Sequence, residues 1–252
     1  MSATDLPCLQ GSLDEGTPVG RESVVADLPT YITGTTASNS DKCILFITDV
    51  FGWHLPNARL LADAYARESG IPCHVPDFLF NDAIDFQVLQ EAKKDPVKMG
   101  EMFGAWIVKH TPEMTMPAMV KYVEALHGQG VKKIATIGYC WGGKYSVLLA
   151  KQGLIEAYVA CHPSMLDVPD DFQNWTTNTV PGLFLCPEDD HGFDLEHRKQ
   201  VAELKRDTVT IKLWKGVHHG FAIRGDPSNP VEMKAKTEAA QEAIAFFKKH
   251  LV

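Results

Sequence analysis

Ile134-Ala135-Thr136-Ile137-Gly138-Tyr139-Cys140-Trp141-Gly142-Gly143 is the stretch on which the fold turns. Ile134–Ile137 reads as a short strand and Lys144–Lys151 as a helix, so the glycines occupy a strand-to-helix turn with a cysteine at its apex. This is the G-x-nucleophile-x-G pattern, with Cys in the place usually held by Ser. Glycine suits both flanks because the apex backbone is strained and an added side chain would collide with the neighbouring strand or helix. The turn lifts the sulfur to the sheet edge and sets it at a helix N-terminus, where unpaired amides and the helix dipole favour a thiolate and polarise a carbonyl oxygen. A glycine-rich turn around an inert buried cysteine is the bland alternative.

Outward from the turn, strands and helices alternate. On its N-terminal side, Cys43-Ile44-Leu45-Phe46-Ile47 is an uninterrupted apolar run of strand length, suited to a sheet covered on both faces. It follows the polar linker at residues 35–42 and two extended segments, Glu22–Ala26 and Thr30–Thr33, that the Leu28-Pro29 pair separates as an early hairpin. Pro56–Ser69 carries Leu60, Leu61, Ala64 and Tyr65 at helical spacing, with Gly70 placed as a left-handed cap, and Ile71–Asp77 returns as a strand. Residues 81–116 mix a charged helical stretch, Gln87–Lys93, with Pro96, Phe103 and Trp106, and read as a lid or cap. A helix over Pro117–Leu126 leads back to the decisive turn.

Beyond it, strands Ala157–Cys161, Gly182–Cys186 and Val209–Trp214 and helices Leu195–Leu204 and Glu232–His250 continue the alternation. The pattern predicts an α/β architecture, a doubly wound and mostly parallel sheet with helices on both faces, over a single domain spanning 1–252. Ligand crevices in such sheets lie at the carboxyl ends of the strands, so the loops after strands are where chemistry is expected.

Composition narrows the function. Apolar residues make up 45% and charged residues 22% of the chain, enough to bury a core without disulfides or metals. A net charge of −8 opposes nucleic acid and anionic membranes and favours a small-molecule partner, although a cleft can be locally basic. The N-terminus lacks a charged-then-apolar leader and no run approaches membrane-spanning length, which makes cytoplasmic the default address. Cys8, Cys43, Cys73, Cys140, Cys161 and Cys186 include no CxxC pair, so most are expected to be buried reduced thiols rather than disulfides or zinc ligands.

Two loops supply partners for Cys140. Strand Gly182–Cys186 delivers Pro187-Glu188-Asp189-Asp190-His191, and strand Val209–Trp214 delivers Lys215-Gly216-Val217-His218-His219-Gly220-Phe221. The order nucleophile, acid, base is that of an α/β-hydrolase triad. Imidazole titrates near neutral pH and can take the thiol proton and later return it to a leaving group. Between His218 and His219 the latter is preferred, since Gly220 permits close backbone approach. Asp190 is preferred to Asp189 as the carboxylate that fixes the imidazole tautomer. Glu188 is read as surface, and His191 and His197 as ordinary polar residues. Trp53, His54, Trp106 and Phe221 are candidates for an aromatic pocket, though aromatics near a strand edge are more often core.

The segments Thr48-Asp49-Val50-Phe51-Gly52, GYCWGG at 138–143, EDDHGF at 188–193 and HHGFAIRGD at 218–226 together resemble the dienelactone hydrolase family, in its fungal-type branch. The most specific element is a cysteine elbow joined to the HGFA-R ending. The resemblance implies Cys140, Asp190 and His219 as the triad, and the Val50 and Trp141 amides as an oxyanion hole. It also implies Arg224 on a substrate carboxylate and Asp49 beside the nucleophile, which with Trp53 and Phe221 of the aromatic candidates make the expected substrate-binding residues. Asp49 stands where the family keeps a glutamate that helps deprotonate the thiol on substrate arrival, one methylene shorter. Ile223 alters the spacing to Arg224, and residues 91–116 offer no clear match to a second carboxylate-binding arginine of the bacterial form.

The expected chemistry is attack by Cys140 on an activated ester or enol-lactone, a thioester intermediate, and release by water directed by His219. No metal or organic cofactor is called for. An enol-lactone leaves as a stabilised enolate and suits a thiol, whereas an amide needs strong protonation of a poor leaving amine. Two rivals stand beside this: a thioesterase or general carboxylesterase, and a non-catalytic binding protein that retains the pocket. Oligomeric state has no signature in the sequence.

Overall fold

In the computed structural model, which describes residues 14–34, 40–92, 94–176, 179–190, 192–205 and 207–252, the apolar run at 43–47 lies in β3 (Lys42–Ile47), whose residues from Cys43 onward are all buried. Cys8, the linker residues 35–39, Lys93 and His191 lie outside the described residues. β3 is flanked in parallel by β4 (Cys73–Pro76) and β5 (Lys133–Tyr139). The sheet continues in parallel through β6 (Ala157–Cys161), β7 (Gly182–Pro187) and β8 (Val209–Trp214). On the other side, β2 (Leu28–Thr33) pairs antiparallel with β4, and β1 (Arg21–Val25) antiparallel with β2, giving the order β1-β2-β4-β3-β5-β6-β7-β8.

This order positions the site. After β3 the chain moves outward to β4 and then crosses back to β5 on the opposite side, so the strand order reverses between β3 and β5. Loops leaving the carboxyl ends of those strands diverge and leave a crevice. The Thr48–Gly52 segment follows β3, and Cys140 follows β5.

The hairpin forms, but its turn is Ala26-Asp27 rather than Leu28-Pro29. Both turn residues have positive φ, 53° and 67°, which matches the twist of the flanking strands. Pro29 sits inside β2 opposite Val24, and its carbonyl accepts from the Asp77 amide at 2.8 Å.

Helices cover both faces of the sheet. α1 (Pro56–Ser69) opens on Pro56 and closes on Gly70 at φ 74°, whose amide donates to Ala66 O at 3.0 Å, as the spacing predicted. It packs against the long α8 (Pro230–Leu251), capped by Asn229. Residues 81–116 fold as α2 (Phe86–Ala92), α3 (Pro96–Ile107) and the first turn of α4 (Pro112–Gly128). Asp95 caps α3 by accepting from the Val97 and Lys98 amides. α4 begins five residues before the expected Pro117, because Pro112 is the residue suited to a first helical position; Pro117 lies within the helix. α4 packs on α5 (Trp141–Lys151), which starts directly at the elbow rather than at Lys144. α6 (Leu195–Leu204) and the one-turn α7 (Phe221–Arg224) complete the set.

Candidate active site

Cys140 joins β5 to α5 at φ 52° and ψ −113°, a conformation that side chains other than glycine rarely adopt. The turn is held by backbone bonds on both sides. Cys140 N donates to Cys161 O at 3.1 Å, while its carbonyl accepts from Gly143 N at 3.0 Å and Ser164 N at 2.9 Å. The flanking glycines are needed for space. A Cβ on Gly142 would stand 2.3 Å from Ile47 O, and one on Gly138 would stand 2.1 Å from Gly142 O, so β5, the start of α5 and the end of β3 touch through backbone alone.

The acid and base come from adjacent loops. β7 and β8 are neighbours, and Glu188 N donates to Trp214 O at 2.8 Å as the two chains leave the sheet. Arg198 of α6 braces the acid loop, donating to the carbonyls of Pro187 and Glu188, each at 2.8 Å. Asp190 is buried. Its Oδ1 accepts from Gly192 N at 2.9 Å and its Oδ2 lies 2.8 Å from His219 Nδ1. Asp189 is exposed, and His218 turns instead to Glu232 at 3.4 Å. An ionised carboxylate only accepts, so the proton of neutral His219 resides on Nδ1 and Nε2 presents a lone pair.

That lone pair faces Ser164. Ser164 Oγ lies 3.4 Å from His219 Nε2 and 3.3 Å from Cys140 Sγ, and thus is in reach of both base and thiol. The sequence reading did not include Ser164. A signal was present, since Cys-His-Pro-Ser at 161–164 follows a strand at its carboxyl end, but no motif marked it.

His162 also escaped the sequence reading. It is fully buried, neither ring nitrogen has a hydrogen-bond partner among the described residues, and its ring packs edge-on to His219 at 4.7 Å between centroids. Burial first, and then the nearby His219, push its pKa well below the ordinary imidazole value. Burial likewise pushes up the thiols of Cys43, Cys73, Cys161 and Cys186, the buried small residues that the sequence suggested.

Asp49 and Arg224, 175 residues apart, form a buried ion pair, with side-chain exposures of 1% and 0%. Asp49 Oδ1 also accepts from Phe51 N at 3.1 Å, and the guanidinium lies 4.7 Å over the Phe51 ring. Arg224 is therefore built into the floor behind the β3 loop. Phe221 is fully buried against Trp214 and His162, and Trp53 packs on His54 with the Arg59 guanidinium over its ring.

Residues 81–116 grip the β3 and β5 loops together. Ile84 N donates to Val50 O at 2.8 Å. The His110 carbonyl accepts from Trp141 Nε1 at 3.2 Å and from the Tyr145 hydroxyl at 2.6 Å, and Trp106 stacks on His110. Cys140 itself is wholly buried beneath this arrangement. No group of three or more His, Cys, Asp or Glu among the described residues is placed to hold a metal ion, and no described helix is long and apolar enough to cross a membrane.

Comparison with known proteins agrees with the fold. The profile of the dienelactone hydrolase family matches residues 28–251. Hydrolase pyvD of Aspergillus violaceofuscus is 28% identical over 98% of this chain and 99% of its own length. Dienlactone hydrolase 1 of Gibberella moniliformis is 29% identical over 93% of this chain and 89% of its own. Among solved structures, a Klebsiella pneumoniae protein assigned as a dienelactone hydrolase superposes with a TM-score of 0.71 at 17% identity, covering 92% of this chain and 99% of the other.

Proposed function

The chain belongs to the dienelactone hydrolase family and is a hydrolase acting on ester or lactone bonds, and from that premise we propose that Cys140, His219 and Asp190 carry the reaction on a small-molecule substrate through a thioester. The observation that carries this reading is the 2.8 Å contact of His219 Nδ1 with Asp190 Oδ2, which aims Nε2 toward the side of the site that holds Cys140. Asp190 fixes the tautomer and steadies the imidazolium. His219 takes the thiol proton, the thiolate attacks the carbonyl carbon, and the carbonyl electrons move onto oxygen. Collapse of that intermediate expels the alkoxide or enolate, which His219 protonates. Water, deprotonated by His219, then attacks the thioester; the acid leaves and the thiol is restored.

The amides of Val50 and Trp141 are the oxyanion donors in this reading. Their support is position: one follows β3 and the other opens α5, at the carboxyl ends of the two strands between which the order reverses. Substrates bearing a carboxylate fit Arg224, which then exchanges part of its bond to Asp49 for the incoming anion. Asp49, released from Arg224, becomes the group available to assist thiol deprotonation. Access to the buried sulfur falls to residues 81–116, which act as the lid and fasten the Val50 and Trp141 loops when closed.

The test is hydrolysis of p-nitrophenyl acetate, dienelactone and a matched alkyl thioester by wild type, Cys140→Ala and His219→Ala, with mass spectrometry of a trapped acyl adduct. Loss of turnover in both variants with an adduct on Cys140 is the expected result, and the substrate ranking separates lactone from thioester preference. Wild-type rates in Cys140→Ala overturn the assignment.

A further inference from the structure

Ser164 lies in the centre of this arrangement and belongs to none of the roles above. Its place is fixed by backbone: Ser164 N donates to the Cys140 carbonyl at 2.9 Å, and Cys140 N donates to Cys161 O at 3.1 Å, so β6 and the elbow clamp the serine independently of its hydroxyl. Register explains why it arrives there. Tyr139 pairs with Cys161, which puts the chain leaving β6 beside the chain leaving β5. His162, with φ 35°, and Pro163 then turn the chain so that the next residue faces the thiol. Gly192 lets the acid loop close on the same spot, since a Cβ there would stand 3.4 Å from Ser164 Oγ and 3.3 Å from Asp190 Oδ1.

We propose that the Ser164 hydroxyl is a catalytic proton relay between the Cys140 thiol and His219, an inference that rests on the triad reading above. The direction of each hydrogen bond follows from its neighbours. Asp190 accepts from Nδ1, so Nε2 is the acceptor and Ser164 donates its hydroxyl proton to it. The serine oxygen, with its lone pairs free of that bond, accepts from the Cys140 S–H.

Proton transfer then balances without a co-reactant. The Ser164 O–H bond breaks as its proton passes to Nε2, and the Cys140 S–H bond breaks as its proton passes to Ser164 Oγ. The serine ends as a hydroxyl, and the pair ends as thiolate and imidazolium. The spans of 3.3 and 3.4 Å are loose, as catalytic hydrogen bonds often are before substrate binds. A relay through oxygen also leaves the thiol and imidazole room to close on opposite sides of an incoming carbonyl. Deacylation needs no such relay, because His219 takes its proton from water directly.

The experiment compares Ser164→Thr with Ser164→Val, side chains of the same shape that differ in the hydroxyl, the valine leaving no room for a substituting water. Acylation is read from the pre-steady-state burst with p-nitrophenyl acetate, in mixtures of H2O and D2O, and deacylation from the following steady state; Cys140→Ala is the control. Ser164→Val is expected to acylate about 10²-fold more slowly, with deacylation changed far less. The dependence of the burst rate on deuterium fraction, curved in wild type and Ser164→Thr because two protons move, becomes linear in Ser164→Val. Equal burst rates and equal curvature in the two variants, with Cys140→Ala inactive, overturn the relay and leave the triad standing. Wild-type activity in Cys140→Ala overturns the triad and the relay together.

Discussion

The buried pair of Asp49 and Arg224 makes a prediction that can be worked in free energy. Neither side chain retains meaningful exposure, at 1% and 0%, so the charges stabilise each other where water cannot. Asp49→Asn removes the charge while keeping an oxygen to accept from Phe51 N, and takes the buried carboxylate away from the guanidinium. Breaking one side of such a pair costs about 3–5 kcal/mol. Arg224→Met retains apolar contact with the Phe51 ring and strands the carboxylate instead, at a similar cost of about 3–5 kcal/mol. Because the double variant contains neither charge, its loss falls short of the sum of the two, with a coupling of roughly 2–3 kcal/mol. Urea unfolding of the four proteins at neutral pH, analysed only where the m-values agree, measures this cycle. Additivity within about 0.5 kcal/mol, or single losses below about 1 kcal/mol, would refute the argument that the pair acts as one desolvated unit.

Other outcomes follow from the same contacts. Asp190→Asn should lower kcat by about 10²- to 10⁴-fold with little change in Tm, since it removes the acceptor that fixes the His219 tautomer; steady-state kinetics and a thermal melt decide it. Gly142→Ala should cost about 3 kcal/mol or prevent folding, because the new Cβ would meet the backbone oxygens of Ile47 and Thr48 at 2.3 and 2.6 Å, and expression followed by urea unfolding reads this. Acid should weaken the fold through His74, pushed down to about 4, and His162, pushed well below the usual value, burial being the first cause in both. Each is neutral when folded and takes up a proton when unfolded, so the stability it contributes is intact above about pH 6.5 and is lost as pH falls toward the folded value, at about 1.4 kcal/mol per pH unit per histidine. Between pH 6.5 and 5 that amounts to about 2 kcal/mol for His74; unfolding midpoints at several pH values should show a shallower slope in His162→Asn, and an unchanged slope would contradict it.

The fold was legible where local pattern and tertiary role coincide. The run Cys43–Ile47 is apolar at every position because β3 is covered on both faces, and the glycines at 138 and 142 are there because three backbones meet. The hairpin turn misled because Pro29 is a strong turn signal, whereas Ala26 and Asp27, which adopt positive φ, carry none. Ser164 and His162 were invisible for a different reason: their proximity to Cys140 and His219 depends on how β6 registers against β5, and no local spacing encodes that. Arg224 was read from its motif as a carboxylate-binding arginine, and its burial against Asp49, 175 residues away, comes from packing that no local spacing encodes.

The attachment of residues 81–116 at Ile84 and His110 bears on how this scaffold would tolerate redesign. Both anchors are backbone groups, a Val50 carbonyl bound by an amide at 2.8 Å and a His110 carbonyl bound by an indole and a phenol. The exposed side chains of α2 and α3 are thus at liberty to vary without loosening either fastening, whereas Leu89, Met99 and Phe103 belong to the core. Chain length between the two anchors is what both fastenings depend on. A graft that preserves the 26-residue spacing from Ile84 to His110 would keep both bonds, while insertions or deletions inside that interval would act first on the bond to Trp141.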